Sequence, residues 1–125
     1  MAQRILVVDD ETGVCHLLKE VLAAEHYQVA TAGTVEDALG ELAEEAFDLA
    51  IVDLLLPGLN GLVLAEAIRM LDPSTPVILM TAYGTPTFEL VATHPAISHY
   101  VHKPFNIDRL LELVQESLPA HDRAG

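Results

Sequence analysis

The stretch "AIVDLLLPGLNG", Ala50 to Gly61, decides the fold. Its first half continues an apolar run, "FDLAIVD" (Phe47–Asp53), whose only acid past its start is Asp53 at the end. A run this short and this apolar reads as a strand covered on both faces. Pro57 and two glycines then break it, and Asn60 can cap a helix through "GLVLAEAIRML". In that helix Leu62, Ala65, Ile68 and Leu71 are expected to share an apolar face. A lone carboxylate at the end of an oily strand is costly to bury, so its neighbours must explain it.

The same strand–helix unit recurs five times along the chain. "RILVVDD" (Arg4–Asp10) is a strand followed by a helical pattern in "VCHLLKEVLAAE", with Val14, Leu17, Leu18, Val21 and Leu22 at helical spacing. Cys15 falls one residue off that apolar face and is expected to be partly exposed. "QVATA" (Gln28–Ala32) precedes a helix capped by Thr34, with Asp37 at its third position. "PVILMTA" (Pro76–Ala82) precedes a short helix in "PTFELVAT", opened by Pro86 and closed by Pro95. "SHYVH" (Ser98–His102) precedes a helix capped by Asn106, and Pro119 follows its end. Alternation of this kind predicts an α/β fold, a doubly wound parallel sheet with helices on both faces. Ligands on such sheets sit beyond the carboxyl ends of the strands.

Composition narrows the function. One domain fits 125 residues, of which 51% are apolar. The expected boundaries are 1–119 for the domain, with 120–125 a frayed tail or the start of a linker. Nineteen acids face six Lys and Arg, a net charge of −13, which repels a phosphate backbone and argues against direct nucleic-acid binding. No apolar run reaches the length of a membrane span, and two early acids exclude a signal peptide, so a cytoplasmic protein is expected. One cysteine excludes an internal disulfide or a cysteine metal cluster, and six scattered histidines show no zinc-ligand spacing.

The strand ends carry the chemistry. Asp9 and Asp10 end the first, Asp53 the third and Thr81 the fourth, and the fifth leads into Lys103 and Pro104. Crowded carboxylates repel one another unless a cation joins them, and oxygen-only ligands suit Mg²⁺ or Mn²⁺. Three acids and one lysine leave two net negative charges, which one divalent cation neutralises. A carboxylate beside such a cation and an ammonium is placed to attack phosphorus and form an acyl phosphate.

The motifs "VVDDE", "IVDLLLPGLNG", "LMTAYG" and "YVHKPF", in that order, resemble the receiver domain of response regulators in two-component and phosphorelay signalling. The resemblance runs from about Arg4 to Leu118. It implies a flavodoxin-like (βα)5 fold with strand order 2-1-3-4-5. It implies Asp53 as phosphoacceptor, and a metal held by Asp10, Asp9, Asp53 and the backbone carbonyl of Leu55. Thr81 and Lys103 would hold phosphoryl oxygens, with Ala82 beside Thr81 in support, and Tyr100 would be the aromatic switch. Pro57 and Gly61 match the loop leaving Asp53, and Pro104 follows Lys103 through a peptide that is usually cis in the family. The implied partners are a sensor histidine kinase or histidine phosphotransfer protein, and an effector or output domain. The latter would meet the face of the fourth helix, fifth strand and fifth helix. A phosphorylation-driven homodimer is compatible with that face. Such a protein catalyses its own phosphorylation and dephosphorylation and turns over no external substrate.

The sequence departs from the family at Leu55 and Tyr83, two residues after Asp53 and Thr81. These positions flank the phosphoryl group in the family, and neither residue here is an amide or acid that could orient water. A long-lived phosphoryl state is therefore expected. "AISH" replaces the usual Gly-Ala-acid residues before Tyr100, and Tyr100 and His102 alternate onto one face of the last strand. The roles of His99 and His102 stay open, His102 being a candidate pH-sensitive group or a plain surface histidine.

Three other classes fit the sequence less well. A pseudo-receiver would work without phosphorylation, against the intact acid–Thr–Lys set. A nucleotide-binding enzyme should show a glycine-rich turn where "VVDDETG" has acids. A haloacid-dehalogenase-type phosphatase expects a second acid at the position of Leu55. The first strand begins at the N-terminus, so no domain is expected ahead of it. The chain is read as a stand-alone regulator or as a receiver cut from a longer one near "AHDRAG".

Overall fold

The computed structural model describes residues 2–57, 59–82 and 94–118. Five strands form one parallel sheet: β1 (Arg4–Val8), β2 (Gln28–Ala32), β3 (Leu49–Asp53), β4 (Val77–Thr81) and β5 (His99–His102). Their order is β2-β1-β3-β4-β5, as expected. The central position of β3 explains its composition: all five of its residues are buried, the acid included.

Helices α1 (Thr12–Ala24), α2 (Val35–Glu44) and α3 (Gly61–Leu71) and the C-terminal helix Ile107–Ser117 cover both faces. Alternate residues of the strands feed two cores. On one face Leu6, Val8, Ala50, Val52 and Leu79 pack with Ala38 of α2 and Leu64, Ala65 and Ile68 of α3. On the other, Ile5, Val7, Ile51, Ile78 and Met80 pack with Leu18 and Leu22 of α1 and Leu110, Leu113 and Val114 of the C-terminal helix. The period-two alternation of each strand thus decides which helices it meets.

The expected caps form. Thr34 Oγ1 accepts from Asp37 N at 3.0 Å, Asn60 Oδ1 from Val63 N at 3.1 Å and Asn106 Oδ1 from Arg109 N at 3.2 Å. Each satisfies an N–H that the first helical turn leaves open. The end of α1 takes another device. His26 adopts φ 71, its N–H reaches Ala23 O at 3.0 Å, and Tyr27 N reaches Leu22 O at 3.2 Å. This is a Schellman ending with histidine where glycine is usual.

Some boundaries and faces differ from the sequence expectation. β1 stops at Val8 rather than Asp10, and β3 begins at Leu49 rather than Phe47, although Phe47 is buried. β4 begins after Pro76, which has no N–H for the ladder, and α1 begins two residues early at Thr12. Leu71 is exposed because α3 ends there, and Leu64 takes a place in the buried face instead. Leu17 lies on the exposed flank of α1. The expected loop after Asp53 contains a small antiparallel pair, Leu55–Leu56 with Leu59–Asn60. The expected helix Pro86–Thr93, Tyr83, Pro119 and the tail 120–125 lie outside the described residues.

Candidate functional site

Because the sheet is parallel, the carboxyl ends of β1, β3, β4 and β5 share one rim. Asp9 follows β1 at that rim, and its N–H extends the ladder to Ala32 O at 3.0 Å. Its side chain is held by Glu11 N, which donates to Oδ1 at 2.9 Å. Asp53 closes β3, and Leu55 N donates to its Oδ1 at 3.1 Å. Thr81 closes β4 and is buried, and its carbonyl accepts from Lys103 N at 2.7 Å. That backbone bond fixes where the Lys103 side chain starts. The Lys103–Pro104 peptide is cis.

Gly61 completes the setting of Asp53. A Cβ there would overlap the Asp53 carbonyl oxygen and lie 2.8 Å from its carbonyl carbon and 2.9 Å from Val52 Cγ1. The Gly61 N–H donates to Leu54 O at 2.6 Å. Close approach of two backbones is the physical reason for glycine at this position.

The buried charges meet at Lys103. Its Nζ lies 2.6 Å from Asp9 Oδ2, 3.0 Å from Asp53 Oδ2 and 3.5 Å from Glu11 Oε1. Asp9 is 1% exposed and Asp53 6%. Burial raises the Asp53 carboxyl above the ordinary aspartate range, and the negative charge of Asp9 adds to that. Hydrogen bonds from Lys103 and Leu55 N pull it back only in part. Burial acts to lower the Lys103 ammonium, but its bonds to Asp9 and Asp53 outweigh this and hold it well above the ordinary lysine value. Lys103 is therefore a fixed positive charge, and Asp53 is a carboxylate kept short of full stabilisation.

Asp9, Asp10 and Asp53 each offer one oxygen within 4.8 Å of the others, with Asp10 exposed and the other two buried. Three carboxylate oxygens this close together fit a hard divalent cation such as Mg²⁺, whose remaining positions water can fill.

The other expected site residues spread around this centre. Ala82 and Pro104 are exposed on the rim, lining a shallow hollow with Glu11, Val14, Leu17, Lys103 and Phe105. Leu55 is 56% exposed and Pro57 is exposed in the turn beyond it. On β5, Tyr100 and His102 face outward while Val101 is buried, and His99 is half-buried.

A family model described as the response regulator receiver domain matches residues 5–115. The chain belongs to the response regulator receiver family. Sporulation initiation phosphotransferase F of Bacillus subtilis is 34% identical over 121 residues, covering 95% of this chain and 96% of that one. Transcriptional regulatory protein ZraR of Salmonella typhimurium is 34% identical over 119 residues. This receiver chain covers 27% of the length of that relative, about a quarter. Among solved structures, a CheY-like receiver domain protein from Methanospirillum hungatei superposes with TM-score 0.90 at 32% identity, covering 100% of both chains. The response regulator TrrA from Thermotoga maritima, solved in complex with Mg²⁺ and a beryllium fluoride, gives TM-score 0.83 at 41% identity, over 93% of this chain and 99% of that one.

Two features of this receiver domain escaped the sequence reading. Glu11 reaches Lys103, and the visible signal was the third acid of "VVDDE". Cys15 Sγ donates to the Asp9 carbonyl at 3.2 Å. Burial, then the charge of Asp9, push the Cys15 thiol up, so it is a protonated packing group rather than a nucleophile. Among the described residues, no helix is long and apolar enough to cross a membrane.

Proposed function

We propose that this domain is a phosphoacceptor switch that takes a phosphoryl group onto Asp53. The observation that carries the reading is Asp53 itself: buried at a strand end, bonded to Lys103 at 3.0 Å and clustered with Asp9 and Asp10. The donor is a phosphohistidine on a sensor kinase or phosphotransfer protein, or a small acyl phosphate. A carboxylate oxygen of Asp53 attacks phosphorus and forms a P–O bond. The P–N bond of the phosphohistidine, or the P–O bond to the acyl group, breaks, and the electron pair leaves with the imidazole or carboxylate.

Asp10, Asp9, Asp53 and the Leu55 carbonyl would hold Mg²⁺ or Mn²⁺. When bound, the cation offsets charge on the transferring phosphoryl group. Lys103 supplies a second positive charge, already fixed by Asp9, and turns one N–H to a phosphoryl oxygen. Thr81 donates its hydroxyl to another. Leu55 N, bonded to Asp53 Oδ1 at 3.1 Å, orients the nucleophile. Ala82 leaves room beside Thr81, Gly61 and Pro57 shape the loop behind Asp53, and Pro104 directs the chain past Lys103.

Phosphorylation then shifts a population between two states, drawing in Thr81 and biasing Tyr100. The changed surface is that of β5, the C-terminal helix and the expected helix Pro86–Thr93, which lies outside the described residues, and an effector, an output domain or a second copy would read it. The domain, residues 1–119, acts in the cytoplasm and performs no other turnover.

The test is intact-mass measurement after incubation with acetyl phosphate, with and without Mg²⁺. Wild type should gain one phosphoryl group with metal alone, and Asp53→Asn should gain none. Absence of any gain under all conditions would sink the reading.

A further inference from the structure

Glu11 occupies the N-cap of α1, yet makes no side-chain cap bond. Short polar residues are preferred there because their oxygens reach back to the open N–H groups of the first turn. Glu11 instead directs its carboxylate across the rim to Lys103, at 3.5 Å, with its side chain 65% exposed. Its backbone is fixed by the bond from Glu11 N to Asp9 Oδ1 at 2.9 Å. The residue is therefore anchored beside the carboxylate cluster while its charge faces solvent.

An ammonium has three N–H groups, and Lys103 has three carboxylate acceptors at 2.6, 3.0 and 3.5 Å. A lysine that turns one N–H to a phosphoryl oxygen must give up one of these. The long, exposed contact to Glu11 costs least to break, since exposed ion pairs contribute little. Breaking it frees one N–H while Asp9 still anchors the ammonium, and what Glu11 then contributes is its charge. With Glu11 counted, four carboxylates share the rim with the Lys103 ammonium. A further negative charge within a Debye length attracts a divalent cation and repels a dianionic donor.

Resting on the phosphoacceptor reading, we propose that Glu11 sets the charge selectivity of this site. It strengthens divalent-cation binding and weakens capture of small dianionic phosphodonors. It acts through its charge, with no bond to the reacting atoms.

Wild type, Glu11→Gln and Glu11→Asp separate charge from reach. Mg²⁺ affinity is measured by titration calorimetry on each protein, in low salt and at about 0.5 M salt, where screening acts within a few ångströms. Glu11→Gln should raise the Mg²⁺ dissociation constant about two- to fivefold in low salt, and the difference should shrink in high salt. With saturating Mg²⁺, the acetyl phosphate concentration giving half the limiting rate of mass gain should fall by a similar factor, the change residing in that constant rather than in the limiting rate. Glu11→Asp, which keeps the charge but shortens the reach, should follow wild type in both measurements. Unchanged Mg²⁺ affinity in Glu11→Gln, an effect indifferent to salt, or an Asp variant that matches Gln would each overturn the proposal. If wild type accepts no phosphoryl group, the phosphoacceptor reading fails, and the calorimetry alone decides whether Glu11 governs cation affinity.

Discussion

Lys103 Nζ sits closer to Asp9, at 2.6 Å, than to Asp53, at 3.0 Å. Asp9 is the deeper of the two carboxylates, so it anchors the ammonium and leaves Asp53 the looser partner. Removing the lysine strands two buried acids beside each other. In metal-free buffer Lys103→Met should lower stability by up to about 3 kcal/mol, the lower end for a broken buried pair. Saturating Mg²⁺ should restore part of the loss by supplying the missing positive charge. Urea denaturation with chelator and with Mg²⁺ reads both; no loss in chelator would show that the acids do not depend on Lys103 for compensation, and equal losses in the two buffers that the cation does not replace its charge.

The raised Asp53 carboxyl has a definite sign in a pH series. Below the ordinary aspartate value both folded and unfolded chains hold this proton, and it contributes nothing. Between that value and the raised folded one, the folded chain binds the extra proton, so stability falls as pH rises. Above the folded value the whole cost of the buried charge is present. Asp53→Asn lacks the titration. In chelator its stability advantage over wild type should be small near about pH 3 and grow as pH rises through the raised folded value. Denaturation midpoints of the two proteins across pH measure it, and a gap that stays constant with pH would contradict it.

Much of this was legible in the sequence because the strands are buried runs that end in chemistry. "LAIV" and "VILM" leave no doubt about burial on both faces, and a parallel sheet then brings Asp9, Asp10, Asp53, Thr81 and Lys103 to one rim. The caps were legible too, since Thr34, Asn60 and Asn106 each precede an apolar helical pattern. What pattern could not supply was distance. Nothing in "VVDDE" says that Glu11 crosses the rim to Lys103. Helical spacing places Leu71 with Ile68 but cannot see that α3 stops at that residue. The pairing of Leu55–Leu56 with Leu59–Asn60 is also hidden, because a two-residue strand carries no periodicity.

Gly61 is a backbone requirement. Any Cβ there overlaps the Asp53 carbonyl oxygen, and backbone cannot move aside as a side-chain tip can. Gly61→Ala should cost about 1–3 kcal/mol, the range for overpacking a tight site. It should also disturb the amide signals of Asp53 and Leu54 in a ¹⁵N correlation spectrum, since Leu54 O accepts the Gly61 N–H. Gly40, whose Cβ would meet nothing within 4 Å, is the control. Gly40→Ala lies inside α2 and should stabilise by up to about 1 kcal/mol.

His26 holds a left-handed conformation, φ 71, that glycine adopts without penalty. His26→Gly should raise stability by about 0.5–1 kcal/mol, the relief of left-handed strain less the entropy glycine adds to the unfolded chain. His26→Val should lower it, because a β-branched side chain is worse still at positive φ. Thermal denaturation ranks the three proteins. A glycine variant less stable than wild type would mean that the histidine side chain contributes more than its backbone costs.

On the proposed function, Leu55 bears on how long the switch would stay set. Its backbone N–H is tied to Asp53 Oδ1 at 3.1 Å, which keeps the residue beside the proposed acceptor. Its side chain is 56% exposed and apolar, with no group that could orient or deprotonate a water for attack on an aspartyl phosphate. On the proposed reading of Asp53 as phosphoacceptor, Leu55 supplies no positioned water for hydrolysis, and the phosphorylated protein should persist well beyond seconds. Leu55→Asn adds an amide at the same anchored position, and should shorten the lifetime several-fold by holding that water. Loss of ³²P from purified phosphoprotein in Mg²⁺ buffer measures both proteins. A wild-type lifetime of seconds, unchanged in the asparagine variant, would show that water reaches the phosphoryl group by a route Leu55 does not control.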